Sequence, residues 1–167
     1  MQFASIRDAD RLTWQRVSLF AGLHQVDSSA GVVGTIKLSF AAWSAEAACA
    51  EGNWKFRRRG FFGTTIGITD PRDNTEVGTL RFRGWNATLT LVSGKLYKWK
   101  LIGFWSGERG FFTSSEFPVV AFRPKHFSFQ LKGEIGVRRE YASLPEVPLL
   151  VMLGAYAAII SQRGRRS

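Results

Sequence analysis

Residues 147–162 read V-P-L-L-V-M-L-G-A-Y-A-A-I-I-S-Q, without a charge, between Glu146 and Arg163. On a 3.6-residue helix Leu149, Leu150, Val151, Met152, Leu153, Tyr156, Ile159 and Ile160 spread over every face. A helix that is apolar all round has to be buried, in a protein core or in a membrane. The stretch makes roughly 24 Å of helix, whereas a bilayer core of about 30 Å asks for about 20 residues. Pro148 lies within it, and the flank Arg163-Gly164-Arg165-Arg166 is basic. Gly154, Ala155, Ala157 and Ala158 form a small-residue face suited to close contact with a sheet. A buried core helix over about residues 146–162 is therefore expected, with no transmembrane span; a tail anchor is the alternative. Ser143 and Glu146 have the spacing of a capping box.

Most of the preceding chain alternates with the period of a β-strand. Strands are expected at residues 12–21, 32–40, 53–59, 61–69, 77–83, 87–92 and 95–102. Shorter ones are expected around 111–112, 117–122, 126–131 and 135–139. Residues 41–51 carry six alanines and could make a helical turn, but Trp43, Ala45, Ala47 and Cys49 alternate with Ser44 and Glu46 and favour a strand. Asp70-Pro71-Arg72-Asp73-Asn74 and Ser93-Gly94 are turns. Ten to twelve short strands at this spacing point to an all-β barrel or sandwich, and the apolar helix to a sheet wrapped around it. Residues 1–11 read as a loose or partly ordered leader, and 12–167 as one domain. Arg59-Gly60-Phe61-Phe62 recurs as Arg109-Gly110-Phe111-Phe112, either as equivalent corners of two half-sheets or by chance.

Lys and Arg number 23 against 13 Asp and Glu, a net charge of +10. Such an excess favours anionic partners: lipid headgroups, nucleic acid or acidic protein. The alternation puts Lys55, Arg57 and Arg59 opposite Trp54 and Phe56, with Arg58 on the aromatic side by parity. It puts Arg81 and Arg83 opposite Leu80 and Phe82, and Lys98 and Lys100 opposite Tyr97, Trp99 and Leu101. If those strands pair, seven outward cations share one wall, where arginine can hold a phosphate bidentately. Cys49 is the one cysteine, among acidic neighbours that would raise its pKa, and His24 and His126 are far apart. No metal site, cofactor, phosphate loop or catalytic constellation is expected. With one cysteine and no signal peptide, the expected location is cytoplasmic, or peripheral at a membrane.

The aromatic, basic strands Trp54-Lys55-Phe56-Arg57 and Leu96-Tyr97-Lys98-Trp99-Lys100, followed by the helix start Leu144-Pro145-Glu146-Val147-Pro148-Leu149-Leu150, resemble the tubby-like superfamily. That family includes tubby C-terminal domains, LURP-one-related proteins and phospholipid scramblases. The resemblance covers about residues 12–163. It implies a mainly β fold: a closed antiparallel barrel of about twelve strands enclosing a hydrophobic C-terminal helix. It also implies binding of membrane lipid or protein without catalysis. The tubby C-terminal signatures and the scramblases' proline-rich leader and cysteine cluster are absent. The phosphoinositide pocket therefore cannot be carried over to residues here, and the likeness is greatest to small single-domain members. The expected function is non-enzymatic binding of anionic phospholipid headgroups, or another phosphorylated ligand, through Lys55, Arg57, Arg59, Arg81, Arg83, Lys98 and Lys100. A protein-interaction module and a basic nucleic-acid binder are the alternatives. The latter needs exposed aromatics beside the cations.

Overall fold

The structure, a computed structural model, describes residues 2–9, 11–18, 22–39, 42–60, 62, 64–103, 106–125 and 132–164. Twelve strands precede the helix: β1 (Leu12–Ser18), β2 (Leu23–Ser28), β3 (Gly31–Leu38), β4 (Ser44–Cys49), β5 (Gly52–Arg59) and β6 (Thr65–Thr69), then β7 (Glu76–Arg83), β8 (Asn86–Leu91), β9 (Leu96–Gly103), β10 (Glu108–Phe112), β11 (Pro118–Pro124) and β12 (Lys132–Val137). Each pairs antiparallel with its sequence neighbour, and β1 pairs with β12, so the sheet closes. Closure removes every free edge. A barrel this wide is too large for strand side chains alone to fill. The helix α1 (Val147–Gly164) fills it.

Every residue of α1 from 147 to 159 is buried, and the helix packs against β3, β4, β5, β10, β11 and β12. The all-apolar face count is thus explained by sheet on all sides. Inward positions alternate as the period of two dictates: Phe56 on β5, Leu80 on β7, Tyr97 and Trp99 on β9, Phe122 on β11. Rings fill the space between sheet and helix. Trp99 lies 4.8 Å from Phe111 and 5.4 Å from Phe122, and Phe56 stacks on Tyr156 at 5.5 Å. The buried Tyr156 hydroxyl donates to the carbonyl of Ala42 at 2.8 Å. Where the helix meets Phe122 only glycine fits: a Cβ on Gly154 would sit 2.1 Å from that ring.

The helix enters at one end of the barrel and leaves at the other. At the entry end, residues 2–9 are fastened rather than loose. Ile6 is buried, the Ser5 hydroxyl and the Ile6 amide donate to Glu51, and Arg7 donates to the carbonyls of Ala142 and Leu144. At the exit end Gln162 accepts from Trp14 and donates to the carbonyl of Lys132.

The structure departs from the strand expectations at β2 and β12. Residues 23–28 form β2, which the alternation concealed because His24 occupies an inward position beside Val26. β12 covers 132–137, and Arg139 lies beyond it in a 3₁₀ turn. The strand expected at 126–131 lies outside the described residues, as do Phe61 and the tail 165–167. Ser143 forms no capping box. The first helical amide bond runs from Leu150 to the carbonyl of Glu146, whose carboxylate pairs with Lys95. Residues 44–49 are a strand, the reading their alternation favoured. The two Arg-Gly-Phe-Phe segments are not equivalent: Phe62 is exposed in a connection, while Phe112 is buried in β10.

Gly154→Ala should therefore destabilise the fold. Overpacking costs about 1–3 kcal/mol, and the better helix propensity of alanine returns up to about 1 kcal/mol. A fall in Tm of a few degrees on thermal denaturation is the expected outcome; an unchanged or raised Tm would mean that α1 does not pack against Phe122.

Candidate anion-binding site

β5, β7 and β9 each present basic residues at successive outward positions because inward ones are taken by the core. Lys55, Arg57, Arg59, Arg81, Arg83, Lys98 and Lys100 are all exposed. The registers align them. Arg59 pairs with Thr65, Thr65 with Arg81, Arg81 with Thr88 and Thr88 with Lys98, one lateral row across five strands. Strands lie about 4.8 Å apart, so successive cations in that row stand on strands about 10 Å apart, with a threonine hydroxyl between them. Arg57 occupies the next outward row, opposite Gly67 and Ser44.

Two open concavities flank β5. One, of about 400 Å³, is lined by Lys55, Arg57, Arg59, Gly67, Thr69 and Asn74. Its floor is Gly67, over which the Arg59 guanidinium lies; a Cβ there would fall 1.9 Å from Nη2. The other, of about 370 Å³, is lined by Trp43, Ser44, Lys55, Arg57 and Arg58. Among the described residues, none of Lys55, Arg57, Arg59, Arg81 and Arg83 forms an ion pair.

The seven expected residues are not equivalent. Arg57, Arg59 and Arg81 form the centre, with Arg83 at the barrel rim. Lys98 donates to the Thr88 hydroxyl at 3.0 Å, and the Lys100 ammonium lies 4.6 Å from the centroid of Phe112. Lys55 sits in a row of mixed sign, directly opposite Glu46. Three contributors were not singled out in the sequence. Gly67 was part of the alternation without a role. Trp43 was read as strand, but it precedes β4 and is 45% exposed. Arg58 has the inward parity expected of it, yet its guanidinium reaches the rim and stacks on Trp43 at 4.7 Å.

Nucleophilic and metal chemistry find no assembled site among the described residues. No group of three His, Cys, Asp or Glu converges there, and His126 is not among them. Burial pushes the Cys49 thiol up to about 11, and its sulfur contacts the carbonyl of Gly52. Such a thiol is a poor nucleophile at neutral pH. His24 is buried inside the barrel, with Nδ1 3.4 Å from the Gly22 carbonyl and no partner for Nε2 among the described residues.

No family model, curated protein or solved structure matches the chain.

Loss of hydration, with smaller contributions from Arg16 and Arg163, lowers His24 from 6.5 to about 4. The unfolded chain takes up this proton near pH 6.5 and the fold refuses it until about 4. The resulting stability is complete above the upper value and is lost as pH falls to the lower one, on the order of 3 kcal/mol. Urea denaturation at a series of pH values should show this slope in the native protein and not in His24→Leu. A parallel pH profile for the variant would mean that His24 accepts the charge in the fold.

Proposed function

We propose that this protein is a non-enzymatic binding module whose outer wall on β5, β7 and β9 takes phosphate groups, borne by anionic phospholipid headgroups or by another phosphorylated ligand. The reading rests on one observation: Arg57, Arg59, Arg81 and Arg83 stand on one face with no acidic partner among the described residues. Unpaired arginines spaced by threonines offer forked donors and hydroxyls to phosphate oxygens. The threaded barrel supports the reading by exclusion. Its interior is packed with rings and helix, which leaves the outside to bind. We further propose membership of the tubby-like superfamily as a small single-domain relative, and residence in the cytoplasm or at the cytoplasmic face of a membrane. A second reading is binding of single-stranded nucleic acid, favoured by exposed aromatic rings beside arginine, Trp43 with Arg58 and Trp85 with Arg109.

The test is sedimentation with vesicles of three parts phosphatidylcholine to one part phosphatidylserine, with inositol hexakisphosphate as a soluble phosphate probe. Near an anionic surface each cation contributes about 1 kcal/mol, so replacing Arg57, Arg59, Arg81 and Arg83 with serine should weaken vesicle binding roughly a thousandfold. The residues are exposed, so the variant's Tm should stay close to that of the parent. Vesicle and hexakisphosphate binding both unchanged in the variant would overturn the proposal.

A further inference from the structure

We infer that the exit rim of the barrel docks into the interfacial layer of an anionic bilayer, with Trp43, Phe62 and Trp85 as the inserted groups and the arginine wall at phosphate depth. The inference rests on the proposed function of that wall and names the bilayer as the source of the phosphate.

Topology places the rings together. Ser44 pairs with Arg57, Arg59 with Thr65, and Arg83 with Asn86, so the connections after β3, β5 and β7 all leave the barrel at one end. The Tyr156 bond to Ala42 shows that this is the end where α1 leaves. The three connections are successive around the rim, each two strands from the next, about 10 Å. Trp43 is 45% exposed, Phe62 83% and Trp85 73%. Among the described residues one other aromatic ring is comparably exposed, Phe117, which stands alone near the entry end. Of the exposed aliphatic residues, Val17 and Ile102 lie toward the exit end and Val92 and Leu96 toward the entry end.

The backbone holds these rings outward. Ala42, immediately before Trp43, has φ of 58°, and Phe62 itself has φ of 65°. Side-chain-bearing residues rarely adopt this region, and a bulky ring there is a marked exception.

Charge is layered behind the rings. Arg58 lies over Trp43 at 4.7 Å and Arg109 over Trp85 at 5.7 Å. Arg59 and Arg83 end their strands at the rim, and Arg57 and Arg81 follow about 7 Å further back at 3.4 Å per residue. Rings outermost and cations one layer behind is the order of an anionic bilayer interface. There aromatic rings settle at headgroup level and basic groups meet phosphate. Single-stranded nucleic acid would instead stack on open ring faces along a groove. Here Trp43 and Trp85 each have a face taken by guanidinium, and the rings tip separate loops.

The test uses the full chain, the vesicles and the hexakisphosphate described above, and a second vesicle preparation with brominated acyl chains. Hexakisphosphate affinity should hold in Phe62→Ser/Trp85→Ser, which keeps Trp43 in the wall's concavity; in Trp43→Ser/Phe62→Ser/Trp85→Ser vesicle affinity should fall about tenfold or more through loss of inserted apolar surface. Brominated chains should quench tryptophan emission in the parent and not in this variant. The triple variant binding vesicles like the parent, without quenching in either, would overturn the docking. If the arginine variant alone then lost binding, the wall would stand without the rim. Loss of vesicle binding in the triple variant with the arginine variant unaffected would support the rim and sink the wall. Loss of oligothymidine binding in the triple variant, with vesicle binding retained, would assign the rim to nucleic acid and overturn the inference.

Discussion

A helix with no polar face exists in water only if something closes around it. That constraint organises the rest of the molecule. α1 supplies an apolar cylinder, and twelve antiparallel strands supply a wall whose inward positions are apolar and whose edges meet. Neither part is stable in isolation: an open sheet would leave its inner face and the helix wet, and the helix alone would aggregate. Sheet closure between β1 and β12 and the fastening of residues 2–9 over the helix entry are parts of one cooperative act.

The same constraint decides where chemistry is found. Inward positions are consumed by Trp14, Phe56, Trp99, Phe111, Phe122 and the helix, so residues that meet a partner lie on the outer wall or the ends. On β5, β7 and β9 the outward positions carry positive charge, and β6 and β8 between them carry threonines. Arg57, Arg59, Arg81 and Arg83 are exposed and form no ion pair among the described residues. Binding an anion there costs little desolvation and breaks no ion pair among the described residues. Exposed charge of this kind is screened by salt, so the wall suits reversible association with a phosphate-rich surface better than a tight buried site.

Much of this was legible in the sequence, for physical reasons that differ by region. The helix announced itself because a run of apolar residues without period has few homes; its observed span, Val147–Gly164, is close to the expected 146–162. The outward faces of β5, β7 and β9 were legible because apolar and basic residues alternate there, with Arg58 the one break. β2 was not: L-H-Q-V-D-S has one aliphatic and one imidazole facing inward, too faint an alternation to read. Which cations lie near acids was hidden too, because Glu46 opposite Lys55 is a fact of register between strands. The rim was least legible. Connections have no period, and whether Trp43 or Phe62 faces core or solvent depends on positive φ values that sequence pattern does not encode. Hence aromatics expected mainly on the inward face include three at the exit rim that face water.

Hydrogen–deuterium exchange of the intact protein, with and without phosphatidylserine-containing vesicles, tests the central claim most directly. The account predicts that amides of residues 150–159 exchange slowest and stay protected when vesicles are added. Amides around residues 42–43, 62 and 84–85, together with the outer ends of β5 and β7, should gain protection. Loss of helix protection on vesicle addition would contradict the account, because it would mean that α1 leaves the barrel and is itself the group that meets the membrane.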